Sequence, residues 1–166
     1  MTDADPDPVP QPDSGPEPGQ PPTDGAEPRE SEVVRRFFAV LADSDIDAAV
    51  ALVADDLVYE NVSLPTIRGK QRFAKGAERM RERGIRFDVR IHRMTQTGNS
   101  VMTERTDALM WGKFRAQFWV CGAFEVNDAG EITLWRDYFD WADILSANAR
   151  GLLGMLLPSI QKTFDD

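Results

Sequence analysis

Between residues 85 and 139 the chain holds four strand-length runs in succession, separated only by turn signals. The first, 85–94, alternates cleanly. Ile85, Phe87, Val89 and Ile91 fall on one face, and Arg86, Asp88, Arg90 and His92 on the other. Thr97-Gly98-Asn99 leads into 101–111, Gly112-Lys113 into 114–126, and Asn127-Asp128-Ala129-Gly130 into 132–139. Connections this short bring each strand back antiparallel to the one before, because a parallel return needs a crossover of about a dozen residues. The centre of the chain is therefore an antiparallel meander.

The flanks are mostly helical. Residues 31–42 place Val33, Val34, Phe37, Phe38 and Leu41 on one face. Ser44 with Asp47 resembles a capping pattern that opens a second helix, with Ile46, Ala49, Val50 and Val53 inward. A short strand at 57–61 follows, then a loop marked by Pro65 and Gly69. A third helix at 70–83 carries Phe73, Ala77 and Met80 as a narrow stripe and stops at Gly84. The last segment, 141–157, reads as an apolar helix that halts at Pro158. This order predicts an α+β domain, with helices segregated to one face of a strongly curved sheet and an apolar pocket at the open end of the resulting cone.

Residues 1–30 stand apart. They hold eight of the chain's 28 acidic residues, one basic residue and nine of its 11 prolines. Such a segment lacks the apolar surface to offset its ordering entropy, so a disordered acidic tail is expected at 1–30 and one domain at 31–166. The domain itself carries a charge of only about −2, which argues against a nucleic-acid partner. The lone cysteine, Cys121, excludes an intrachain disulfide and fits a reducing, cytoplasmic setting. No apolar run reaches the ~20 residues that span a bilayer. With one histidine, His92, on the charged face of its strand, histidine-based catalysis and zinc sites of the His/Cys type lack their residues.

The run 101–111 poses the functional question. Val101, Thr103, Arg105, Asp107, Leu109 and Trp111 share a face. Either the charged pair lies on a solvated surface, or it has been placed inside an apolar cavity, where such groups are costly and usually functional. Two other strands favour the second reading. Tyr59 and Asn61 are in phase with Leu57, and Asp137 with Trp135 and Phe139. Two carboxylates, a guanidinium, a phenol and a carboxamide then face one core. Glu104 and Arg136 point the other way, to the outer face or a dimer contact. Cys121 reads as a packed side chain, and the stretch 151–157 as a cover for the pocket mouth or part of an interface rather than a membrane anchor.

YEN at 59–61, TERTD at 103–107 and WRDYFD at 135–140 together resemble the limonene-1,2-epoxide hydrolase family, in its order and spacing. The resemblance covers the chain from about residue 31 onward. It implies a mixed sheet with helices on its concave side, of the nuclear-transport-factor-2-like or cystatin-like type, a homodimer, and no cofactor or metal. It also implies one-step hydration of a hydrophobic terpenoid, steroid or other lipid epoxide to a vicinal diol, with detoxification as the setting. By the same resemblance Asp107 corresponds to the general acid, Arg105 to the bridging arginine and Asp137 to the general base. Tyr59 and Asn61 correspond to the residues that hold the attacking water. Trp111, Trp135 and the apolar C-terminal segment are expected to shape the cavity. Two alternatives remain on this reading: an isomerase or cyclase of the same fold, using a carboxylate base and an oxyanion donor, and a non-catalytic lipid-binding module.

Overall fold

The structure, a computed structural model, describes residues 29–160 and 162–164. The elements run α1 (Arg29–Ala42), α2 (Ile46–Ala51), β1 (Val53–Asn61), β2 (Ile67–Arg68), α3 (Lys70–Glu82), β3 (Ile85–Thr97), β4 (Ser100–Trp111), β5 (Phe114–Val126), β6 (Ile132–Phe139) and α4 (Trp141–Gly154). A 3₁₀ turn at Pro158–Ile160 follows. The acidic, proline-rich tail lies outside the described residues up to position 28.

The strands form one sheet in the order β2-β1-β6-β5-β4-β3. The predicted meander is present as β3 to β6, each antiparallel to the next. β1 joins the edge of β6 in parallel, which makes the sheet mixed. α1 packs across β3, β4 and β5. Val34, Phe37, Phe38 and Leu41 are all buried from that one helix. Phe37 meets Trp135 edge-on at 5.2 Å between ring centroids, and Phe38 meets Phe124 edge-on at 5.5 Å. Tyr59 stacks on Trp135 at 4.2 Å, and Phe73 of α3 closes the cluster beside Tyr59.

Several local expectations need correcting. The cap of α2 is Asp45, not Ser44: the Asp45 carboxylate accepts from the Ala48 amide at 3.0 Å. Ser44 instead turns the chain out of α1, with a positive φ of 61°. Val53 does not extend α2. It opens β1, four residues before the expected strand, and pairs with Ile132. Pairing of Val53 with β6 overrides the helical pattern at that residue. The 65–69 loop contains the two-residue strand β2. β3 runs on to Thr97 across a bulge after Ile91, so it exceeds the expected 85–94. α4 ends at Gly154 rather than 157.

α4 packs against β5. β6 pairs with β5 only from Val120 onward, so residues 114–119 of β5 have a free edge. α4 lies against it. Asp143 accepts a hydrogen bond from the Trp119 amide at 2.9 Å. Gly151 sits so close to the ring of Phe114 that a Cβ there would lie 2.7 Å from it. A sheet edge that would otherwise invite another strand is thereby covered.

Candidate active site

Register decides which side chains meet. Asn61 pairs with Asp137, Asp137 with Gly122, and Gly122 with Thr103. These four form a row across β1, β6, β5 and β4. Arg105 starts two pairs further along β4, opposite Val120, and its side chain lies back over this row.

Arg105 is fully buried and Asp107 and Asp137 nearly so. Its Nε donates to Asp107 Oδ1 at 2.9 Å and its Nη2 to Asp107 Oδ2 at 3.2 Å. Nη2 also reaches Asp137 Oδ2 at 2.7 Å. Nη1 donates to Thr103 Oγ1 at 3.0 Å. The ring of Phe38 faces the guanidinium carbon at 4.7 Å. A buried cation is tolerable only when its donors are occupied and its charge balanced. Here two carboxylates, a hydroxyl and an aromatic face do that together.

Gly122 is what makes room. A Cβ at this position would lie 2.1 Å from Arg105 Nη1 and 2.9 Å from both Asp137 Oδ1 and Thr103 Oγ1. Glycine in the middle of a strand commonly marks such a close approach. In the sequence Gly122 carries one signal, that of a glycine in a strand interior beside Cys121.

Two carboxylates around one cation carry excess negative charge when both are ionised. Burial pushes the Asp107 carboxyl up to about 6, with Arg105 opposing and Asp137 adding to the rise. Burial also raises Asp137, against the pull of Arg105 and of the nearby Trp135 indole, whose N–H does not reach hydrogen-bonding geometry. Burial lowers Arg105, but Asp107 and Asp137 together outweigh it and leave it above its ordinary value. Burial likewise raises the Tyr59 hydroxyl, so the phenol stays neutral. It donates to Asn61 Oδ1 at 3.2 Å.

Tyr59, Asn61, Asp107 and Asp137 open onto one cavity of about 440 Å³. Arg105 does not line it and stands behind the two carboxylates. Apart from those four residues, the polar side chain on the wall is Asn148 of α4; the remainder is apolar or glycine. Trp135 lines the cavity as expected, but Trp111 does not and is 65% exposed. β4 runs past the cavity before it reaches Trp111. Trp141 and Ile144 of α4 form part of the wall. Leu152, Leu153, Leu156 and Leu157 beyond them are exposed. His92 is exposed and contacts Thr106 on the outer face. Glu104 pairs there with Arg93, and Arg136 with Glu60. The position a cation would take between the two carboxylates is filled by the guanidinium of Arg105.

Over most of its length the chain is similar to known proteins. Residues 28–150 match the model of the limonene-1,2-epoxide hydrolase catalytic domain. The epoxide hydrolase EphG of Mycobacterium tuberculosis is 50% identical over 130 residues, which cover 78% of this chain and 86% of that protein. A solved M. tuberculosis epoxide hydrolase of the limonene-1,2-epoxide hydrolase-like type superposes with a TM-score of 0.78 at 48% identity, covering 82% of this chain and 96% of the other. An NTF2-like protein from Cytophaga hutchinsonii, 18% identical, shares the fold with a TM-score of 0.59 over 73% of this chain and 98% of its own. The match across most of the chain, at this identity, shows that the chain belongs to the limonene-1,2-epoxide hydrolase family.

Proposed function

We propose that Asp107, Arg105, Asp137, Tyr59 and Asn61 carry out the epoxide hydrolysis that family membership assigns to the chain. The carrying observation is the bridge of Arg105 between two buried carboxylates that open on one apolar cavity. Opening an epoxide near neutral pH needs a base at the water and an acid at the ring oxygen together. Asp137 is the base. It lines the cavity and is tied to Arg105 through Oδ2 alone, since its buried Oδ1 accepts no hydrogen bond from the described residues, which leaves the carboxylate more basic than a two-bond fork would. The Tyr59 hydroxyl donates a hydrogen bond to Asn61 Oδ1, which leaves lone pairs on the oxygens of this pair as acceptors for the water's second hydrogen. Asp107 in its protonated form donates to the epoxide oxygen as the C–O bond breaks. One proton enters at Asp137 and one leaves at Asp107, so the Arg105–carboxylate trio keeps the same net charge throughout. That constancy suits a site closed off from water.

The cavity is of the size that encloses a drug-sized ligand, and its apolar wall suits a terpenoid, steroid or other lipid epoxide. Removal of reactive lipid epoxides in the cytoplasm is the setting this reading supports. Among the described residues no helix is long and apolar enough to cross a membrane. A homodimer through the outer sheet face is supported by Met102, Trp119 and Tyr138, which expose large apolar surface on three adjacent strands. Sedimentation of a monomer at micromolar concentration would count against it.

Incubation with lipophilic epoxides in ¹⁸O-labelled water tests the reaction. One labelled oxygen per diol is expected, on the diol and not on the protein. Asp107→Asn should reduce turnover by three or more orders of magnitude, about what loss of an essential proton donor removes. Retained turnover in that variant would remove Asp107 from its role.

A further inference from the structure

Thr103 lies outside the five residues above and does not line the cavity, yet it is 2% exposed and hydrogen-bonded to the guanidinium. Three polar atoms surround the point where Gly122 lacks a Cβ: Arg105 Nη1, Thr103 Oγ1 and Asp137 Oδ1. The last two are rival acceptors for the N–H groups of Nη1. Thr103 takes the bond, at 3.0 Å, and Asp137 Oδ1 is left without a partner. Asp137 is therefore held through Oδ2 alone.

We infer that Thr103 is a positioning residue, one that captures Nη1 of Arg105 and so keeps the buried second oxygen of Asp137 free of hydrogen bonds and the carboxylate basic enough to deprotonate the attacking water. Without that hydroxyl, Nη1 would have a buried, unsatisfied N–H, which is costly, and one open acceptor within the same small space. It would turn to Asp137 Oδ1. Arg–carboxylate pairs favour the two-bond fork, so the exchange is downhill. The base would then be clamped on both oxygens and less basic. The charged and titratable groups that face this corner are Arg105 and Asp107 from β4, Asp137 from β6 and Tyr59 from β1. α1 offers Phe38, and β5 offers Gly122 and Phe124.

The inference rests on Asp137 acting as the base, and its test has one arm that needs no turnover. Thr103→Val keeps the shape and suits a strand, whereas Thr103→Ser keeps the hydroxyl. Thr103→Val is expected to lower kcat about 10- to 100-fold, as loss of a hydrogen bond to a charged group would, with KM changed less than about twofold. The acid limb of its kcat profile should move to lower pH. In ligand-free protein with ¹³C-labelled aspartate, the Asp137 carboxyl should likewise titrate lower than in the parent. Thr103→Ser should restore both. If valine does not fold, Thr103→Ala against Thr103→Ser gives the same comparison. A parent-like kcat in the valine variant would overturn the inference. So would a fall in kcat with the Asp137 titration unmoved, which is the mark of a merely structural residue. If the parent hydrolysed no epoxide, the functional reading would fail separately, and the carboxyl titration would still decide whether Thr103 controls Asp137.

Discussion

At the scale of the residue, the site is limited by space as much as by charge. Gly122 is on the middle strand of the row that joins Asp137 to Thr103, and the guanidinium of Arg105 fills the volume a side chain would take. Nothing flexible can yield there, since the nearest atoms are themselves held in the ion-pair network. Gly122→Ala should therefore displace Arg105 rather than be absorbed. An overpacked core costs about 1–3 kcal/mol, and a shift of this size at the reacting groups removes about 100-fold from kcat. Melting temperature and turnover measured on one preparation check both. An alanine variant with full activity would show that the row is looser than its distances state.

At the scale of the element, α4 is the part whose role depends on its cap. Asp140 accepts from the amides of Ala142 at 2.8 Å and Asp143 at 3.4 Å, which fixes the first turn. That turn carries Trp141 and Ile144, both on the cavity wall, and Asp143, which ties the helix to β5. Asp140→Ala should cost about 1 kcal/mol and loosen the wall without touching the strand-borne acid and base. A several-fold rise in KM for a bulky epoxide with kcat nearly unchanged is the expected kinetic signature. A fall in kcat alone would mean that α4 reaches into the chemistry.

Elements were legible in the sequence to unequal degrees. β4 announced itself, because strict alternation placed Thr103, Arg105 and Asp107 on the face of Val101, and that face is buried. β1 was half hidden. Residues 53–56 contain no strand pattern of their own; Val53 pairs with Ile132 of β6, and the register shifts before pairing resumes at Val58. The role of Gly122 is hidden in the sequence, since a glycine's importance lies in what approaches it, and Arg105 approaches from a neighbouring strand. Trp111 was misplaced for the converse reason. Phase along a strand says which face a residue takes, not where along the strand the cavity ends.

At the scale of the whole molecule, a buried site that holds carboxylates above their ordinary range opposes folding at neutral pH. The Asp107 carboxyl rises from an ordinary 3.8 to about 6. A raised carboxyl binds its proton more tightly in the native state than in the unfolded chain. Its contribution to stability is fully present below about pH 4 and is lost as the pH rises through about 6. Asp107→Asn removes the titration and leaves Arg105 balanced by Asp137 alone. The variant should gain on the parent as pH rises from 4 to 8, by an amount on the order of 1–3 kcal/mol, while losing turnover. Denaturant midpoints at several pH values measure it. A constant difference across that range would show that Asp107 is not the group that titrates.

The sequence by itself determined the meander, the cone, the amphipathic α1 and the identity of five polar residues on inward faces, because strand alternation and helical periodicity are local properties of a chain. Only the tertiary structure decided that Asn61, Asp137, Gly122 and Thr103 form one row, that Arg105 lies across it, and that α4 walls the cavity from the free edge of β5. Those facts depend on register between strands distant in sequence. A slip of one residue would turn each of these side chains to the opposite face while leaving the local pattern of its strand unchanged.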